Sequence, residues 1–246
     1  MRSWVSAVAG ALGGALLAVV VIFVAARQGW LPGAGGPVNI RGYLLGHPEI
    51  LAEMTERLQM LQDAQDKAKA AAAMKKIGMA AFFDPRIAFI SGPADAKKSV
   101  VEFYDYNCPY CRLSLPAVEK FYQQHKNDTR FSFIEFPIKG PESVVAARVA
   151  LAARLQPEKY LALHFLLMNE SDPVNEAMIY ADAQKAGLDM AKLKTDMQKP
   201  DIDAAIEASK ALARRAGVDG TPTFIINGVV HPGAVDDDTL KSLAES

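Results

Sequence analysis

The sequence predicts an α/β domain in which a block of helices interrupts a small sheet, and three observations carry that expectation. A β-branched and aromatic segment, residues 99–106, runs directly into Cys108-Pro109-Tyr110-Cys111 and then into a helical pattern bearing Leu113, Leu115, Val118, Phe121 and Tyr122. Far downstream, Thr221-Pro222 opens a second strand, Thr223-Phe224-Ile225-Ile226, which closes on Asn227-Gly228. Between these two features lie a strand over residues 130–136 and a long, mostly helical stretch.

The composition narrows the functional classes. The chain has 246 residues, with 27 Lys and Arg against 28 Asp and Glu, so it carries no basic excess to suit a nucleic-acid partner. Half the residues are hydrophobic and 22% are charged, which excludes wholesale disorder and leaves room for a sizeable core. Two cysteines build neither a disulfide framework nor, by themselves, a four-cysteine zinc site.

Residues 3–26 carry no charge and are rich in Ala, Val, Leu and Gly, with Trp4 and Trp30 bracketing the run. As a helix this run spans roughly 36 Å, enough to cross a bilayer. It is read as an uncleaved single-pass anchor in the inner membrane, with the body of the chain in the periplasm. The alternative is a signal peptide cleaved after Val24-Ala25-Ala26, which leaves a soluble periplasmic protein. Arg2 and Arg27 on the two flanks give little basis for choosing an orientation. Residues 31–37 have Pro and Gly at five of seven positions and read as a linker, so residues 1–36 form anchor and linker.

Residues 37–78 form a helical leader. Asn39 caps a short helix closed by Gly46, and Pro48 then starts a second helix that meets no breaker before Gly78. Leu51, Met54, Leu58 and Leu61 follow a 3-4-3 spacing, continued by Ala68 and Ala72, while Glu53, Glu56, Arg57, Asp63 and Lys67 lie opposite. That narrow stripe suits a coiled-coil seam and a homo-oligomer, dimer or trimer, through residues 37–78. Packing of the same stripe against the chain's own domain, and a solvated spacer, are the competing readings.

The catalytic domain is placed over residues 79–246, with a helical insertion at about 140–216. Helices are expected over 146–155, 158–168, 174–186, 190–197 and 202–216, punctuated by Pro157, Gly187 and Pro200. The strand–CxxC–helix order puts Cys108 at a helix N-terminus, where the dipole and free N–H groups favour a thiolate. Cys111 lies one turn on, which makes Cys108 the attacking thiol and Cys111 the resolving one. A c-type haem site needs His after the second cysteine, and residue 112 is Arg. None of the four histidines pairs at zinc-ligand spacing, and a structural disulfide closing so small a ring adds little stability. Redox chemistry is left as the leading reading, with no metal.

The segments Glu102-Phe103-Tyr104-Asp105-Tyr106-Asn107-Cys108-Pro109-Tyr110-Cys111 and Gly217-Val218-Asp219-Gly220-Thr221-Pro222 resemble the thioredoxin superfamily, and within it the bacterial DsbA-like thiol–disulfide oxidoreductases. The likeness covers about residues 80–246. It implies a thioredoxin fold with a DsbA-like helical insertion, and a cis proline at Thr221-Pro222 lying against the CxxC and pairing with an extended substrate segment. Pro109 and Tyr110 share the substrate-binding role. The resemblance also implies that Glu102, six residues before Cys108, is a buried acid that takes the proton from Cys111. An exposed strand carboxylate is the competing reading of Glu102, and Asp105 is given no role. A minimal thioredoxin or glutaredoxin has no space for the helical stretch.

Thr before the proline resembles DsbC- and DsbG-like isomerases, and the leader resembles that of ScsC-like proteins. A disulfide isomerase or reductase follows as the leading expectation, with exported proteins as substrates, a membrane redox partner, and no cofactor beyond the Cys108–Cys111 couple. The alternatives are a DsbA-like dithiol oxidase, a Cu(I)-handling thiol protein linked to copper tolerance, and a passive adaptor in a membrane assembly.

Overall fold

A computed structural model of the protein describes residues 20–25, which are helical, and residues 40–245. The expected membrane-spanning run over residues 3–26, apart from those six, and the linker over 31–37 lie outside the described residues. Among the described residues no helix is long and apolar enough to cross a membrane.

From residue 40 the chain forms two helices, α1 (Ile40–Gly46) and α2 (Glu49–Ile77). The chain divides into two compact units, the second running from Asp63, so the division falls within α2 rather than after residue 78. The reason is local. Met74, near the end of α2, is buried with Phe82, Phe83 and Ile87 in one of the two cores of the second unit. Ahead of the division, Leu51, Met54, Leu58 and Leu61 are all exposed along α2.

The second unit is built on a five-stranded sheet in the order β1-β3-β2-β4-β5. Its strands are β1 (Ala88–Ser91), β2 (Lys98–Tyr104), β3 (Thr129–Glu135), β4 (Thr223–Ile226) and β5 (Val229–Pro232). The central strand β2 is parallel to β3 and antiparallel to β4. Its crossover to β3 is the helix α3 (Pro109–His125), as a parallel pair requires. Between β3 and β4 the chain leaves the sheet for five helices: α4 (Pro141–Ala153), α5 (Pro157–Met168), α6 (Glu176–Lys185), α7 (Met190–Asp196) and α8 (Pro200–Ala216). The helical insertion is therefore present, and α9 (Asp237–Glu245) ends the fold.

Alternation along β2 decides what lies under the site. Val100 and Tyr104 enter the core shared with Cys108, Cys111 and the insertion, whereas Val101 and Phe103 enter the opposite core. Glu102, in phase with Val100 and Tyr104, is thereby committed to the cysteine side of the sheet. The hairpin between β4 and β5 turns at Asn227 (φ 50°) and Gly228 (φ 87°), the type I′ pairing that Asn-Gly favours. Asn227 also ties the turn to the start of β2: its N–H donates to the Ser99 carbonyl at 3.0 Å, and its side-chain oxygen accepts from the Ser99 N–H at 3.0 Å.

Candidate active site

The end of β2 delivers the site. Beyond Tyr104 the chain turns, the Cys108 N–H donating to the Asp105 carbonyl at 3.0 Å. Cys108 is the N-cap of α3 with extended backbone (φ −86°, ψ 116°), and Pro109 takes the first helical position, where its missing N–H costs nothing. The Cys108 carbonyl accepts from the N–H groups of Cys111 (3.1 Å) and Arg112 (3.2 Å), which places Cys111 one turn along the helix. Both cysteines are free thiols and both are buried. Tyr110 is 62% exposed beside them.

The second half of the site comes from the far side of the insertion. The Thr221-Pro222 peptide bond is cis, and the Thr221 carbonyl lies 3.0 Å from Cys108 Sγ, accepting from it in the thiol form. Two segments more than a hundred residues apart in the chain thus meet at one sulfur. The Thr221 hydroxyl is buried and has no partner within the fold. Pro222 is also held from its other side, its carbonyl accepting from the Gly233 N–H at 2.9 Å.

The two thiols differ in acidity. The Cys108 thiol is brought down to about 5, chiefly by the hydrogen bond from the Cys111 thiol; burial opposes this, and the N–H groups of Cys111 and Tyr110 add to it. Burial pushes the Cys111 thiol far above its ordinary value, reinforced by its role as donor to Cys108 and by the charge of Glu102. At neutral pH the pair therefore holds one thiolate, on Cys108, and one thiol, on Cys111.

Glu102 is buried, which excludes the exposed-carboxylate reading, and its Oε2 has no partner. Burial raises its carboxyl to about 8, and the Cys108 charge pushes in the same direction. An unsatisfied carboxyl under a thiolate is costly unless it is protonated, and at neutral pH it mostly is.

The fold employs three neighbours that the sequence reading passed over. The Asp105 side chain is buried and accepts four hydrogen bonds: from the N–H groups of Asn107 (2.7 Å), Ile138 (2.7 Å) and Lys139 (2.8 Å), and from the Ser143 hydroxyl (2.7 Å). Asn107 accepts from the Val174 N–H at 2.7 Å and donates to the Val174 carbonyl at 3.4 Å. Arg112 donates twice to the Tyr106 carbonyl, at 2.8 and 3.1 Å, and once to the Asn107 side chain at 3.3 Å. An aspartate bonding the N–H two residues on is an Asx-turn, and Asp105-Tyr106-Asn107 was the available signal for it.

Deeper on the same side, Glu135 accepts from Tyr104 and Tyr106, Tyr104 bonds Tyr160 at 2.7 Å, and Tyr106 bonds His164 at 3.2 Å. Burial pushes Glu135 well above the carboxylate range and His164 down to about 3, so both are neutral members of a satisfied polar core. Among the described residues no group of three or more His, Cys, Asp or Glu is arranged to hold a metal ion.

Comparison with known proteins agrees with this geometry. Residues 87–246 match the family model described as thioredoxin. A thioredoxin-like oxidoreductase from Silicibacter pomeroyi is 40% identical, covering 67% of this chain and 93% of that one, with a TM-score of 0.61. A periplasmic thioredoxin-like protein from Salmonella enterica is 37% identical over 68% of this chain and 92% of that one, with a TM-score of 0.57. ScsC from Proteus mirabilis is 31% identical and covers 84% of this chain and 92% of its own, with a TM-score of 0.64. The chain spans about a quarter of the length of the curated relatives it matches. These are proteins named Na(+)/H(+) antiporter NhaA, 29% identical over 163 residues in the one from Herminiimonas arsenicoxydans.

Proposed function

The chain belongs to the thioredoxin family, and on that basis we propose that this thiol–disulfide oxidoreductase works in the periplasm on the cysteines of exported proteins, as a disulfide isomerase or reductase. The observation that carries this reading is a single sulfur, Cys108 Sγ, at a helix N-terminus, its thiol lowered to about 5 by the neighbouring Cys111 thiol and lying 3.0 Å from the carbonyl of the cis Thr221-Pro222 segment.

The residues assign themselves to steps. The Cys108 thiolate attacks a substrate disulfide; a mixed disulfide forms and one substrate thiolate leaves. In isomerisation a different substrate thiolate attacks the mixed disulfide at the substrate sulfur, a new disulfide forms within the substrate and Cys108 leaves as the thiolate. In reduction Cys111 attacks Cys108 Sγ instead, the Cys108–Cys111 disulfide forms and the second substrate thiolate leaves. Cys111 must lose its proton for this, and Glu102 is the base. Once Cys108 is in a mixed disulfide its negative charge is gone, and with it one of the two influences that keep Glu102 protonated. The Glu102 carboxyl thus falls from about 8, although burial still holds it up, so a larger share of it is ionised and able to accept the Cys111 proton at the stage where a base is needed. Thr221-Pro222, Pro109 and Tyr110 offer the substrate a backbone and an apolar rim.

A membrane reductant would keep Cys108 reduced for isomerisation. The exposed stripe Leu51, Met54, Leu58 and Leu61 supports a homo-oligomer through the leader, and the apolar run over residues 3–26 supports tethering at the inner membrane. The oxidase reading has an observation of its own: a stabilised Cys108 thiolate favours the dithiol form, which makes the disulfide an oxidant.

Recovery of activity from scrambled ribonuclease tests the proposal. It is expected to vanish in Cys108→Ser and survive partly in Cys111→Ser; recovery unaffected by Cys108→Ser would refute it. The redox state of the pair in cells separates the directions, since a mostly oxidised pair points to the oxidase. Light scattering of the protein with and without Leu58→Asp reads the oligomer.

A further inference from the structure

We propose that Asp105 and Asn107 are positioning residues that latch the helical insertion to the redox loop and so set affinity for protein substrates. The inference rests on the oxidoreductase reading above and goes beyond it. Both side chains stand within three residues of Cys108, on either side of Tyr106, and each reaches a different part of the insertion.

Asp105 holds the way in. Its four acceptances gather the N–H of Asn107 in the redox loop, two consecutive N–H groups at Ile138 and Lys139, and the hydroxyl of Ser143 in the first turn of α4. Asn107 holds the middle: it meets both backbone groups of Val174, a buried residue in the connection between α5 and α6. Arg112, one residue past the CxxC, closes the set by bonding the Tyr106 carbonyl and the Asn107 side chain. The insertion is thus tied to the segment before Cys108 at two separated places, by side chains whose hydrogen bonds go mostly to backbone groups.

The consequence for function lies in what the first latch carries. Ile138, whose N–H Asp105 holds, is a 39% exposed apolar side chain, and Asp105 is itself the residue whose carbonyl accepts the Cys108 N–H. The latch therefore fixes an exposed apolar contact at the entrance to the insertion in register with the redox loop that carries the reactive sulfur. A protein substrate that spans the redox loop and the insertion needs that register. A small disulfide needs only the sulfur.

The test is a split between two substrates on the full chain. For Asp105→Asn and Asn107→Ala, KM for scrambled ribonuclease is expected to rise about tenfold or more, while the rate constant for attack on oxidised glutathione changes less than about threefold. Asn at position 105 keeps the shape but turns an amide N–H₂ towards the Ile138 and Lys139 donors. Asn107→Ala removes the Val174 latch and the Arg112 bond but leaves the four Asp105 acceptances in place, so it decides the matter if Asp105→Asn fails to fold. Proportional losses with both substrates would place these residues among groups that act on Cys108 or on the fold as a whole, and would overturn the proposal. An unchanged KM for ribonuclease would overturn it as well. Failure of the wild-type protein to exchange with oxidised glutathione would instead strike the underlying oxidoreductase reading.

Discussion

Glu102 and Asp105 are buried carboxylates three residues apart on one stretch of chain, and the fold treats them in opposite ways. Asp105, beside the redox loop, has four donors aimed at it. Glu102, beneath the cysteines, has an oxygen with none and holds its proton to about pH 8. The difference separates architecture from chemistry. A carboxylate whose lone pairs are all occupied is committed to holding backbone in place. A carboxyl left short of partners is free to exchange a proton, and beside a thiol pair that is what the reaction uses.

The largest effects are expected at the cysteines between these two regions. Cys108→Ser should reduce thiol–disulfide exchange to background. Cys111→Ser should leave the first attack in place and accumulate the mixed disulfide, which non-reducing gels and mass spectrometry read directly. Glu102→Gln comes next. It should slow resolution of the mixed disulfide on the order of a hundredfold while leaving the first attack within a few fold, as stopped-flow single turnover would show.

The same substitution should stabilise the protein. Folding raises the Glu102 carboxyl from 4.5 to about 8, so its favourable contribution is complete below about pH 4.5 and is lost as pH rises through 8. Gln imitates the protonated form at every pH. Urea unfolding should therefore show Glu102→Gln ahead of the wild type by on the order of 3 kcal/mol at pH 7, with the gap closing towards pH 4. Asp105→Asn should move in the other direction, costing on the order of 2–4 kcal/mol because it sets an amide against buried N–H groups. Equal responses at the two positions would erase the distinction drawn between them. Ser143→Ala, which removes one of the four Asp105 donors, should cost about 1 kcal/mol and mark the lower end of the series.

The contrast between the two acids also shows how far the sequence could be read. Strand, CxxC and helix follow one another in the chain, so Cys108 at the N-cap of α3 was legible from local order alone. The Asn227-Gly228 turn declared itself for the same reason. The insertion was legible because Pro157 and Pro200 each start a helix, whereas α4 begins ahead of the expected 146, at Pro141 after Gly140. Glu102 could be placed from its resemblance and its phase on β2. Asp105 could not, because three of its four donors belong to residues more than thirty positions away, and period-two alternation says nothing about a residue just past the end of a strand. The four-residue strand β1 is too short to show a pattern of its own and is defined by its pairing with β3. The division within α2 was hidden for a similar reason. Helical periodicity runs unbroken through it, and it is the packing of Met74 and Ile77 into the core with Phe82 and Phe83 that separates its end from its beginning.

The measurement that bears most directly on the redox assignment is the pH dependence of Cys108 ionisation in the reduced protein, followed by thiolate ultraviolet absorbance and by the rate of iodoacetamide alkylation. Both should rise together with a midpoint near 5 and lie on a plateau at neutral pH. A midpoint near 9, the ordinary value for a cysteine thiol, would contradict the assignment of Cys108 as the activated nucleophile.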